Sequence, residues 1–190
     1  MTDDQYQVDV KVVSKMPKEI YIGLAKLAVR RYLNNDIVKN SEIPEELLKV
    51  KFACFVSLHR KSNNELRGCI GTILPTKPNL AQEIITNAIS ACSDPRFDDV
   101  EKKEYSQLKF AVDILSEPEK IKTKRGLNPK KYGLIVRATD DGRLGVLLPD
   151  IPEIDTVDDQ VSLAMQKAGI YSTDTEIEYF RFTVDRHEEK

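Results

Sequence analysis

Two stretches of this chain end alike. Gly71-Thr-Ile-Leu-Pro75 can be set over Gly145-Val-Leu-Leu-Pro149, and each closes a hairpin pattern that is followed by a polar linker and an amphipathic helix. This faint internal repeat constrains the fold more than any other feature. A hairpin and one helix cannot bury enough surface alone, so two copies must serve as layers of one α+β core. A chance likeness of two hairpins is the alternative. With 190 residues the chain has the length of a single domain, or of two small closely joined lobes, with a core over about residues 17–186.

Local patterning fills in the elements. Residues 17–33 place Ile20, Leu24, Leu27, Ala28 and Arg31 at helical spacing. A polar connector broken by Pro44 precedes a short helical turn over 45–48, and residues 51–58 alternate as a strand with apolar groups on both faces. Ser62, Asn63 and Asn64 supply a turn, and 66–74 returns as a second strand. Asn79 caps a helix whose buried stripe is Leu80, Ile84, Ala88, Ile89 and Cys92. Strand periodicity recurs at 108–115, then at 134–138 and 144–148 around the turn residues Asp140, Asp141 and Gly142. Thr156 opens a last helix through Val157, Val161, Ala164, Met165 and Ala168, and Gly169 closes it in the left-handed region. Residues 178–184 read as one final strand.

Composition excludes several functions. The net charge of −2 gives no global field to recruit nucleic acid or acidic lipid. Cys54, Cys69 and Cys92 are odd in number and form no CxxC, so neither a disulfide framework nor a thiolate metal site is indicated. His59 and His187 stand in no metal-binding spacing, and no metal or cofactor is expected. The acidic start MTDDQYQVDVKVV is unlike a signal peptide, and no apolar run is long enough for a membrane helix, so a cytoplasmic protein is expected. Lys120, Lys122, Lys124, Arg125, Lys130 and Lys131 form a basic run that invites an RNA-associated binding module, but it lacks interleaved aromatics for base stacking and reads better as a solvated loop.

Chemistry is concentrated in Leu66-Arg-Gly-Cys-Ile-Gly-Thr72. Two glycines weaken a strand unless backbone must pass close to something. Period-two alternation sends Arg67, Cys69 and Gly71 to one face, where the guanidinium would favour a Cys69 thiolate. That makes Cys69 a candidate nucleophile and Arg67 its activator, with His59 as a candidate base. A buried Cys69 acting as packing, and a strand-end His59 facing solvent, are the competing readings. Arg67, Gly68, Gly71 and Thr72, with Asp94 and Arg96 of Asp94-Pro-Arg-Phe97, are the candidate ligand-binding residues; Asp94 and Arg96 could equally just end a helix and pin a loop.

The same segments carry a resemblance. Glu65-Leu-Arg-Gly-Cys-Ile-Gly-Thr72, Asn87-Ala-Ile-Ser90, Asp94-Pro-Arg-Phe97, Lys131-Tyr-Gly-Leu-Ile-Val136, Leu147-Leu-Pro-Asp150 and Lys167-Ala-Gly169 resemble the AMMECR-type domain family, in its bacterial and archaeal branch. Asp98 and Asp99 stand where that family usually has a more apolar or proline-bearing continuation. The resemblance implies an α+β fold with a mixed, barrel-like sheet, flanking helices and duplicated strand and helix units. It implies a Memo-like protein and a radical SAM protein as partners, and no established reaction. The expectation is an accessory or catalytic module of a modification pathway, with a cleft around the LRGCIGT motif for a small anionic or peptide ligand. A non-catalytic scaffold for the two partners is the alternative.

Overall fold

The computed structural model describes residues 15–171 and 176–189. The acidic start, residues 1–13, lies outside them. In chain order the elements are α1 (Lys18–Tyr32), α2 (Glu45–Leu48), β1 (Ala53–Arg60), β2 (Leu66–Gly71), α3 (Leu80–Ala91), β3 (Leu108–Leu115), β4 (Glu119–Ile121), β5 (Gly133–Ala138), β6 (Leu144–Leu147), α4 (Val157–Lys167), β7 (Ile177–Phe182) and β8 (Val184–Glu188), with short 3-10 turns between some of them.

The strands form two four-stranded antiparallel sheets, ordered β2-β1-β3-β8 and β4-β7-β5-β6. The α+β class holds. The single barrel-like, mixed sheet does not, because each sheet keeps its edges among the described residues. The duplication is visible in the order of the strands. In each half a hairpin is followed by a helix, and the strand after that helix pairs beside the first strand of the hairpin: β3 beside β1, and β7 beside β5. Each of these strands then hands the chain to the other sheet, β3 running on to β4 and β7 to β8. The expected final strand over 178–184 is therefore two strands parted at Thr183, and β4 arises inside a segment that reads as a basic connector.

The chain divides into two compact units, one of the described residues up to Ile114 and from Asp185, the other Leu115–Val184. In the first, Cys54, Val56 and Leu58 of β1 and Phe110, Val112 and Ile114 of β3 meet α1 and α3. The α1 stripe is rotated from the expected one: Leu24 and Ala28 are buried, but Tyr21, Ala25 and Val29 join them. Arg31 instead pairs with Asp36 and Glu42. In the second unit Leu134, Val136, Ala138 and Leu147 pack on Val161, Ala164 and Ala168.

Caps and turns follow the local signals. Asn79 accepts from the Gln82 N–H at 3.0 Å and Thr156 from the Asp159 N–H at 3.1 Å. Gly142 and Gly169 both adopt positive φ, 73° and 66°. Four residues past each cap lies a buried polar side chain, Glu83 in α3 and Gln160 in α4. Glu83 draws in the loop after β2, accepting from Thr72 Oγ1 at 2.6 Å, Thr76 N–H at 2.8 Å and Lys77 N–H at 2.8 Å. That pull ends β2 at Gly71, short of the expected Leu74.

Gly23, exposed in the middle of α1, has no packing reason to be glycine, since a Cβ there would meet nothing within 4 Å. Gly23→Ala should therefore stabilise the chain by about 0.5–1 kcal/mol through helix propensity alone. Thermal or urea unfolding measures this, and a loss of stability would mean that α1 tolerates no side chain at that point.

Candidate functional site

β2 runs antiparallel to β1 with Ser57 opposite Cys69, Leu58 opposite Gly68 and His59 opposite Leu66, so the register shifts and Arg67 is left without a partner of its own. An extra residue of this kind, a β-bulge, breaks the alternation of side chains. The expectation that Arg67 and Cys69 share a face is corrected here. The Arg67 side chain is buried and forks onto Glu104, Nε to Oε1 at 2.9 Å and Nη2 to Oε2 at 3.0 Å. Its remaining reach ties down the next loop through the carbonyls of Asp98 (2.8 Å) and Asp99 (3.2 Å). The carboxyl of Glu104 is held below the usual range first by its hydrogen bonds from Arg67. Arg67 is thus a clamp inside the fold.

Cys69 meets a different cation. Its backbone N–H donates to Asp94 Oδ2 at 2.9 Å and its carbonyl accepts from Arg96 Nη2 at 3.3 Å. β2 is an edge strand, and the outward N–H and C=O of such a strand are an open template for pairing. Here the Asp94–Arg96 pair takes the place of a neighbouring strand. Asp94 is buried, and it grips Arg96 by Nε at 3.0 Å and Nη2 at 2.7 Å. Those bonds, first among the causes, drive its carboxyl far below the ordinary carboxylate range. LRGCIGT and DPRF are therefore two halves of one construction, and the reading in which Asp94 and Arg96 only end a helix falls short of it.

The thiol itself is not activated. The Ser57 hydroxyl donates to Cys69 Sγ at 3.1 Å, but burial outweighs that bond and the nearby Arg96, and pushes the thiol up from its ordinary value. Arg67 acts instead on Cys92, whose thiol burial pushes up to about 12 against the opposing guanidinium. His59 is occupied by its own turn: Nδ1 lies 3.1 Å from the Asn64 carbonyl, which can only accept, so Nδ1 carries the proton. Among the described residues no hydrogen bond joins His59 to Cys69. The pair expected as base and nucleophile is not assembled.

The glycines answer to packing. A Cβ on Gly68 would strike the Ala91 carbonyl of α3, and one on Gly71 would enter the Phe55 ring and the Cys54 carbonyl. Gly145 of β6 is bare for the same reason as Gly68, against the Ala164 carbonyl of α4. The glycine that shares a role with Gly145 is thus Gly68, and not Gly71, over which the proline-anchored alignment sets it. Gly68, Gly71 and Thr72 leave the candidate ligand set, because close helix packing, a cross-strand ring and the Glu83 carboxylate account for them.

What remains is an open cleft of about 580 Å³ outside β2, bordered by Arg60, Glu65, Leu66 and the edge of Arg67 on one side and by Pro95–Asp98 on the other. Of the expected residues only Arg67 and Arg96 line it. Arg60 and Phe97 join them: Arg60 touches Glu104 only at 3.4 Å, and Arg96 lies over the Phe97 ring, 5.5 Å from its centre. Arg60 reads in the sequence as part of a polar turn, and nothing local marks it. Among the described residues no three His, Cys, Asp or Glu side chains gather to hold a metal, and no helix is long and apolar enough to cross a membrane. The basic run is partly neutralised within its own unit, Lys120 by Glu178, Lys124 by Asp158 and Lys130 by Asp155.

Residues 22–187 match the AMMECR1 family, nearly the whole chain. The chain belongs to the AMMECR1 family. A Thermotoga maritima protein is 50% identical over 170 residues, which cover 88% of this chain and 96% of that one. Protein CA_C1420 of Clostridium acetobutylicum is 44% identical over 92% of this chain, and the match spans only 37% of that longer protein. The crystal structure of the uncharacterized protein PH0010 from Pyrococcus horikoshii superposes with a TM-score of 0.79 at 30% identity, covering 91% of each chain. The AMMECR1 fold is thereby shared, while the names of these relatives state no reaction.

Proposed function

We propose that this AMMECR1-family domain is a ligand-binding module of a modification pathway, taking a small anionic or peptide ligand in the cleft beside β2, and that Cys69 is not a nucleophile. The observation that carries this reading is the state of Arg96. A buried carboxylate fixes its guanidinium, yet the side chain is 58% exposed, and among the described residues no hydrogen bond uses Nη1. A cation held in place before its ligand arrives loses little entropy on binding. Arg60 adds a second cationic contact and Phe97 an apolar wall, the usual make-up of a site that orients a small ligand.

The accessory role, with a Memo-like and a radical SAM protein as partners in the cytoplasm, rests on the family resemblance. It is supported by a relative in which the matching region is about a third of a longer protein. Three free cysteines suit a reducing compartment.

Two measurements test the reading. Alkylation of Cys69 by iodoacetamide should rise only above about pH 8.5, as for an unactivated thiol. Titration of the ¹⁵N-labelled chain with N-acetylglutamate should shift the Cys69 amide and the Arg96 Nε–H, and Arg96→Ala should abolish the response while Cys69→Ser keeps it. An alkylation midpoint below about pH 7, or no shift in the wild-type chain, overturns it.

A further inference from the structure

Charge balance narrows the ligand of that same cleft, and the argument rests on the reading just given. Three guanidinium groups, Arg60, Arg67 and Arg96, border the cleft, but two of them are already matched. Arg67 is forked onto Glu104 and Arg96 onto Asp94. Two more carboxylates, Glu65 and Asp98, line the cleft itself; both are exposed, and among the described residues neither makes a hydrogen bond or an ion pair through its side chain. With their partners counted, three cations therefore face four anions. A compact polyanion such as phosphate would meet no net attraction there. A ligand with charges of both signs would satisfy the remaining N–H groups of Arg60 and Arg96 and the two exposed carboxylates together. Leu66, Pro95 and Phe97 line the same cleft and offer apolar contact to whatever separates its charges.

We infer that the cleft prefers a zwitterionic peptide segment, an acidic and a basic side chain separated by an apolar residue, to a free anion. The acidic group of such a segment meets Arg60 and Arg96, its basic group meets Glu65 and Asp98, and its middle residue lies on Leu66 and Phe97.

The probes are two capped tripeptides, acetyl-Glu-Leu-Lys-amide and acetyl-Glu-Leu-Gln-amide, titrated at low salt into the ¹⁵N-labelled full chain. The lysine peptide should bind up to about fivefold more tightly, the upper end for an additional exposed ion pair. The Glu65→Gln/Asp98→Asn double variant, altered only at exposed carboxylates, should bind both peptides alike. Salt at about 1 M should erase the difference. Equal affinity of the two peptides for the wild-type chain, with the Arg96 Nε–H shifting in both cases, overturns the zwitterion and leaves the anion-binding reading in place. Failure of both peptides and of N-acetylglutamate to shift Arg96 overturns the two together.

Discussion

On replacement of Arg67 by alanine, the free energy of unfolding in urea should fall by about 3–5 kcal/mol, the cost of breaking a buried ion pair by removing one partner. The side chains of Arg67 and Glu104 are 6% and 15% exposed, so solvent offers the abandoned Glu104 little relief. Two carbonyls, of Asp98 and Asp99, lose their donors in the same step. Lysine cannot restore the fork, since a single ammonium spans neither both carboxylate oxygens nor both carbonyls. The deficit should also depend on pH. Arg67 holds the Glu104 pKa below its unfolded value, so the pair stabilises the fold fully above the unfolded pKa of about 4.3 and loses that contribution as pH falls through the folded value. The gap between Arg67→Ala and wild type should be flat from neutral pH down to about pH 5 and narrow below it. A loss under about 1 kcal/mol, the range of exposed pairs, would show that the guanidinium is free for a ligand after all.

Gly68→Ala should cost about 3 kcal/mol, at the upper end of overpacking, because the group it strikes is the backbone carbonyl of Ala91 and not a side chain that can turn away. Relief requires α3 to lift from β2, which also strains the Asp94–Arg96 cap, since the Asp94 Cβ lies only 3.6 Å from the added carbon. Gly145→Ala should behave alike in the second unit, where the Ala164 carbonyl stands in the way. Equilibrium unfolding of both variants measures the effect. A Gly68→Ala chain that unfolds like wild type and loses only ligand binding would restore the view that a guest needs the bare backbone.

The cleft is largely a product of these two packing arrangements. Arg67 anchors the segment after Asp94 from one end and Asp94 clamps Arg96 from the other, so the loop carrying Phe97 is held at the sheet edge by hydrogen bonds from a buried guanidinium and by one ion pair. Binding energy need not then be spent on ordering that loop.

Local chemistry was legible in the residues. The caps at Asn79 and Thr156, the turn at Gly142, the left-handed Gly169, both hairpins and the helix after each of them depend on neighbours a few positions away, and each appears where its pattern predicts it. The resemblance read on LRGCIGT and DPRF led to the right family, whose match covers residues 22–187. The face on which Arg67 stands was not legible. Period two is a rule for uninterrupted pairing, and one bulged residue reverses it for everything beyond, so the activated thiol deduced from Arg67 beside Cys69 disappears with the register. Nor could Arg60, Glu104 or Glu83 be singled out, since their roles come from partners many positions away, 37 in the case of Arg67 and Glu104.

The sequence by itself determined most of the helices, the two hairpins and the caps, because those depend on backbone propensity and on side chains within one or two turns of each other. Only the tertiary structure decided that β3 and β7 each continue into the other sheet, that the motif glycines make room for helix and ring, and that Asp94 and Arg96 close the edge of β2. Those outcomes turn on which backbone groups are left unpaired once the sheets have assembled, and unpaired N–H and C=O groups exist only in the assembled fold.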